Sequence, residues 1–188
     1  STVSSVNGTI NLTGTSGFGT SGVTSDGITI LDSVLESTER GNITLNGTAS
    51  SGALLSTGIE ILRNSRISVV DGNISFTGQG GSGFRGNSGI DISGVVEATG
   101  QGNITFNGIG GIGTNSNYGI YIKEAETRIS SVDGDIRFTG IGGNGTGERN
   151  SGIGIQDSAV VQSTGTGNIS LTGTGGNGTG QENHGVSI

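Results

Sequence analysis

The chain is 188 residues long, 41 of them glycine, with no proline or cysteine and a formal net charge of −7. A collagen triple helix is excluded because it needs a proline-rich G-X-Y period. A disulfide scaffold or cysteine-based metal site is excluded by the missing thiols, and a duplex nucleic-acid binder by the missing basic stripe. No apolar run approaches the ~18 residues of a membrane-crossing helix, so no membrane span is expected.

In chain order, the first element is Val3-Ser4-Ser5-Val6-Asn7-Gly8, a short run with β-branched residues. It leads into Gly8-Thr9-Ile10-Asn11-Leu12-Thr13-Gly14. This phrase, G-x-I-x-[LF]-[TN]-G, returns from Gly41, Gly72, Gly102, Gly134 and Gly167, and its isoleucines step by 33, 31, 30, 32 and 33 residues. A fixed period of that size means stacked supersecondary units. Disordered low-complexity sequence has no reason to hold such a phase.

After each phrase comes a segment rich in Gly, Asn, Ser and Thr, at 15–26, 48–57, 79–88, 109–118, 141–151 and 174–184. It reads as a loop or wide corner projecting on one side. Then comes Gly27-Ile28-Thr29-Ile30, repeated from Gly58, Gly89, Gly119 and Gly152, and as Gly185-Val186-Ser187-Ile188. G-I-x-I is a period-2 pattern with two apolar residues on one face and the middle residue on the other. A third apolar run closes the unit at Val34-Leu35, Ile67, Val95-Val96, Ile129 and Val160-Val161. It alternates between a short spelling, as in Ile67-Ser68-Val69-Val70-Asp71-Gly72, and one two residues longer, as in Val95-Val96-Glu97-Ala98-Thr99-Gly100-Gln101-Gly102. Coils therefore run A-B-A-B-A-B.

Three short strands per unit, repeated in phase, predict an all-β fold: a parallel β-helix, or β-solenoid, of about six coils of 30–33 residues, forming one domain over 1–188. The phrase isoleucines should form one buried ladder, and Leu12, Leu45, Phe76, Phe106, Phe138 and Leu171 its neighbour. Neither end shows a recognisable cap. Uncapped coils expose unpaired strand edges, so a longer array or end-to-end stacking of subunits is expected.

Two phrases carry a resemblance: Gly167-Asn168-Ile169-Ser170-Leu171-Thr172-Gly173-Thr174-Gly175-Gly176-Asn177-Gly178 and Ser131-Val132-Asp133-Gly134-Asp135-Ile136. In these the chain resembles the repeat regions of large bacterial surface exoproteins of the filamentous-haemagglutinin-like kind, often encoded by cyanobacteria. The resemblance implies a right-handed helix, an extracellular or cell-surface location, and adhesion or fibre building. It brings no catalytic residue.

The candidate sites are few. The Gly-Gly-x-Gly loops approach calcium-binding nonapeptides, but Arg85, Thr114-Asn115 and Thr146-Gly147 stand where the ligating aspartate is needed. The middle residues of G-I-x-I make the outward column Thr29, Glu60, Asp91, Tyr121, Gly154, Ser187. Stacked Glu60 and Asp91 could act as a glycosidase pair, hold a cation, or face water. A sugar cleft would need aromatic platforms, and there is no Trp and only Tyr118 and Tyr121. The column Asn11, Thr44, Ser75, Thr105, Arg137, Ser170 suggests ordered hydroxyls of an ice-binding kind, but Arg137 and Asn11 interrupt it and no paired Thr-x-Thr is read. Asn42, Asn73, Asn103 and Asn168 recur at one corner, as glycosylation acceptors or as an amide ladder. His184, the single histidine, rules out a Ser-His relay.

The expectation is a non-enzymatic structural protein with no catalytic, cofactor or metal residue assigned. Its partner would be itself, with surface glycans as a further ligand. The alternatives are a carbohydrate-binding or carbohydrate-cleaving β-helix, with Tyr118, Tyr121 and Lys123 as a minor patch, and a binder of ice or mineral surfaces.

Overall fold

The computed structural model describes residues 1–18, 24–51 and 54–188. Parts of the loops expected at 15–26 and 48–57 lie outside the described residues. Among the described residues there is no helix, and every coil contributes the same three strands. The run preceding the phrase forms four-residue strands (Thr2–Ser5, Val34–Ser37, Arg66–Val69, Val95–Ala98, Arg128–Ser131, Val160–Ser163). The phrase forms six-residue strands (Ile10–Thr15, Ile43–Thr48, Ile74–Gln79, Ile104–Ile109, Ile136–Ile141, Ile169–Thr174). G-I-x-I forms the shortest (Ile28–Ile30, Ile59–Ile61, Ile90–Ile92, Ile120–Ile122, Ile153–Ile155, Val186–Ser187). Each kind pairs in parallel with its own kind, giving a first, second and third sheet of six strands each. The molecule is a parallel β-solenoid of about six turns.

The register is the one the repeats dictate. Ile10, Ile43, Ile74, Ile104, Ile136 and Ile169 are successive Cα partners, and so are Leu12, Leu45, Phe76, Phe106, Phe138 and Leu171. The first sheet stacks Val3, Leu35, Ile67, Val96, Ile129 and Val161. These inward columns fuse into one core in which the middle coils are fully buried. Phe76 meets Phe106 edge-on at 5.2 Å, and Phe106 stacks on Phe138 at 4.9 Å. Such pairs add about 0.5–1.5 kcal/mol each to the burial of their area.

The second-sheet strand runs three residues past the phrase's leucine or phenylalanine, as in Thr77, Gly78 and Gln79 after Phe76. The phrase glycine sits inside this strand instead of ending it. A Cβ on Gly78 would overlap the Gly89 carbonyl of the third sheet, so glycine is required where the two strands converge. The extension corrects one expectation. Counted to its end, the strand does carry Thr-x-Thr, at Thr13-Gly14-Thr15 and Thr172-Gly173-Thr174.

The variable segments are also more ordered than plain loops. Ile112–Gly113 pairs in parallel with Asn144–Gly145, and Ser82 bridges to Ile112, so these corners stack as well. The A-B alternation has a local cause. Asp71 Oδ1 of an A coil accepts from the Gln101 backbone N–H of the next B coil at 3.1 Å, and Asp133 Oδ1 does the same for Thr166. The short corner supplies a carboxylate, and the longer one brings an amide that needs it.

Candidate functional site

Burial separates the outward column of the third sheet from the other outward positions. Thr29, Glu60, Asp91, Tyr121, Gly154 and Ser187 are successive partners there. Asp91 is only 9% exposed although it points away from the core. The corner segments overhang this face and form a cleft of about 280 Å³ whose lining includes Leu55, Thr57, Glu60, Arg85, Asp91, Tyr121 and Lys123.

The charges in the cleft are mixed. Lys123 Nζ lies 2.8 Å from Asp91 Oδ2 and 4.9 Å from the centroid of the Tyr121 ring. Burial pushes the Asp91 carboxyl up, and the Lys123 ammonium draws it back. Glu60, in register with Asp91, has no cation at bonding distance among the described residues. Burial, then repulsion from Asp26 and Asp91, pushes it from the ordinary 4.5 to about 7. Asp26 is pushed up by burial, while the Thr57 backbone N–H at 2.9 Å stabilises its charged form. At neutral pH the column therefore holds a half-protonated Glu60 beside an Asp91 paired with Lys123.

Tyr118 and Tyr121 stack with centroids 4.3 Å apart and planes 6° from parallel. Gly154 makes this possible, since a Cβ there would lie 2.8 Å from the Tyr118 ring. Tyr121 Oη and Gln156 Oε1 are 3.1 Å apart, consistent with the phenol donating its proton. Lys123 reaches back to the third coil, while Tyr118 leans over Gly154 of the fifth. Tyr121 is held between them and offers no free ring face of the kind a sugar platform needs.

Sequence reasoning placed Glu60, Asp91 and Tyr121 in one column, and the structure brings them together. It missed Asp26, whose only signal is its place immediately before Gly27. It also missed the 32-residue reach from Lys123 to Asp91. Among the described residues no three His, Cys, Asp or Glu side chains form a group able to hold a metal ion. The Lys123 ammonium already provides the positive charge that Asp91 would otherwise seek. His184 sits in the last corner segment, where its backbone N–H donates to Ser151 Oγ at 3.1 Å.

Two asparagine ladders run along the rod. The corner column is the amide ladder weighed above: Asn73 and Asn103 donate their backbone N–H to the Oδ1 of Asn42 and Asn73, and Asn168 donates to Asp135, at 2.8–2.9 Å. A second ladder, unread in the sequence, is inside. Asn87 Nδ2 donates to Asn117 Oδ1 (2.8 Å), Asn117 to Asn150 (2.7 Å) and Asn150 to Asn183 (3.0 Å).

The class these features define is a parallel β-solenoid protein with a polar cleft on one face. Comparison with protein-family models, with curated proteins and with solved structures found no match.

Proposed function

We propose that this protein is a structural rod, a segment of an extracellular fibre or adhesin stalk at the cell surface that extends by stacking coil upon coil. One observation carries the reading: all three sheets keep a single register through six coils without a break. Each coil presents to the next the same apolar columns and the same row of backbone donors and acceptors, so a further coil of this kind meets a ready partner. The surface location rests on the resemblance of the repeat phrases to bacterial exoproteins. Electron microscopy of the native protein tests the reading. Filaments with a ~4.8 Å axial repeat support it. Particles of single-chain length at every concentration count against axial stacking.

The overhung cleft favours a second reading, glycan binding beside Glu60 and Tyr121. Cleavage would require Asp91 to leave Lys123 and face a substrate. Calorimetric titration with oligosaccharides, repeated on Tyr121→Ala, decides whether the cleft binds sugar at all.

A further inference from the structure

One position beside the cleft recurs in successive coils: the residue that follows each third-sheet strand. Leu62, Ser93, Lys123 and Gln156 hold it in the second to fifth coils. Each donates its backbone N–H to the last strand residue one coil back, at 2.7–3.1 Å. Two of these side chains also clasp the outward residue of that earlier coil. Lys123 Nζ bonds Asp91 Oδ2 at 2.8 Å, and Gln156 Oε1 lies 3.1 Å from Tyr121 Oη. By the same register, Ser93 stands to Glu60 as Lys123 stands to Asp91. A serine side chain is too short to span a coil spacing of about 4.8 Å.

Glu60 is therefore the carboxylate of the column that no side chain of the chain clasps. It opens on the cleft of about 280 Å³ together with Asp91, Lys123 and Tyr121, with Arg85 exposed at the rim. Asp26 and Asp91 repel its charge, and the Lys123 ammonium is held by Asp91. Three carboxylates thus share one ammonium. Lys123 is the only lysine in the sequence, so a second side-chain ammonium comes only from outside the chain. A metal ion does not suit the arrangement, since no three acidic or histidine side chains among the described residues converge to hold one.

We infer that the cleft binds an amino sugar whose ammonium bonds Glu60, one coil below the Lys123–Asp91 pair and in the same manner. The inference rests on the glycan reading of the cleft and names the kind of sugar. The chain carries its own template for the contact, an ammonium 2.8 Å from the neighbouring carboxylate of the same column. Hydrogen bonds between charged partners are about twice as strong as neutral ones, so an amine is favoured over its uncharged amide. Thr57, Ser88 and Ser116 line the same cleft and bring hydroxyls that suit those of a sugar ring. The alkyl stem of a lysine from another protein would pack on apolar surface instead. A cleft of about 280 Å³ is at the small end of ligand sites and suits a single ring. Tyr121 lies between Tyr118 and Lys123, so recognition falls to charge and hydrogen bonds and not to ring stacking.

The test is an NMR titration of the full chain at neutral pH with glucosamine, N-acetylglucosamine and glucose. Glucosamine should bind about tenfold more tightly than the other two. Glu60→Gln should remove that preference and leave the binding of glucose unchanged. Ser93→Lys should set an ammonium on Glu60 from within the chain and remove the preference as well. Ser93 is buried, so circular dichroism checks that this variant folds, and Glu60→Gln decides the matter if it does not. Equal binding of all three sugars overturns the ammonium contact and leaves the glycan reading standing. Binding of none overturns both. A preference for glucosamine that survives Glu60→Gln also overturns the inference. So does tighter binding of Nα-acetyl-lysine amide, which would assign Glu60 to a lysine of another protein.

Discussion

Two buried atoms define the weakest point of the interior. Among the described residues, Ser56 Oγ and Asn87 Oδ1 are the buried side-chain polar atoms without a partner. Ser56 stands two residues before Gly58, as Asn87 stands before Gly89, so serine occupies the rung below the asparagine ladder and is too short to donate upward. Leaving such a group unsatisfied costs about 1–3 kcal/mol. Ser56→Asn should extend the ladder by one rung and raise stability by about 1 kcal/mol, read as a higher urea midpoint with unchanged slope; a lower midpoint would show that the rung lacks room. Glu60 gives a pH test. Its pKa rises on folding from 4.5 to about 7, so the folded state binds the proton more tightly. Its contribution is fully present below about pH 4.5 and is lost as pH rises through about 7. The raised Asp26 and Asp91 act in the same sense. Glu60→Gln should therefore gain on the wild type between pH 5 and pH 8, by about 1 kcal/mol once partial exposure is discounted. Denaturation at the two pH values measures the gap, and a gap that shrinks with rising pH would refute the assignment.

At the scale of the element, the strand columns divide the stability unevenly. Phe106 lies between two other phenylalanines and is fully buried, whereas Leu12 in the first coil is only partly buried. Phe106→Ala should cost about 3–5 kcal/mol, and Leu12→Ala clearly less, both measurable by chemical denaturation. The columns were legible in the sequence because strand side chains alternate with period 2 and the repeat fixes which residue meets which. Ile43 could only stack on Ile10 and Ile74. The length of the second-sheet strand was not legible. Gly78 reads as a terminator, and only the approach of the Gly89 carbonyl shows that it is a strand residue without space for a side chain. The interior ladder was hidden for a related reason. Asn87-Ser88-Gly89 and Asn117-Tyr118-Gly119 have the composition of turns, and nothing local says that the amides point inward. The cleft was half legible: the column of Glu60, Asp91 and Tyr121 follows from register, but the Lys123 ion pair depends on how a long side chain crosses a coil.

The whole molecule behaves as a one-dimensional stack, each coil held by its neighbours. In this chain Ile10 is 8% exposed and Ile169 39%, while Ile74 and Ile104 are fully buried. Amide hydrogen exchange should therefore slow from both ends toward the third and fourth coils. A flat protection profile would mean that the six coils open as one unit. Surface ion pairs add little to this gradient. Arg63 reaches Glu124 across an intervening coil, but both side chains lie at the surface, where such pairs contribute about 0–1 kcal/mol.

The two asparagine ladders point in opposite senses. Inside, each side-chain amide donates toward the higher-numbered coil, from Asn87 through Asn117 and Asn150 to Asn183. At the corner, Asn103 and Asn168 donate back toward the lower-numbered one. A cross-section cut between any two of these coils thus has two unlike sides, one offering an interior donor with a corner acceptor and the other the reverse. Two like sides brought together would set donor against donor within and acceptor against acceptor without. The stack is an arrow, and a junction between arrows closes only tip to tail.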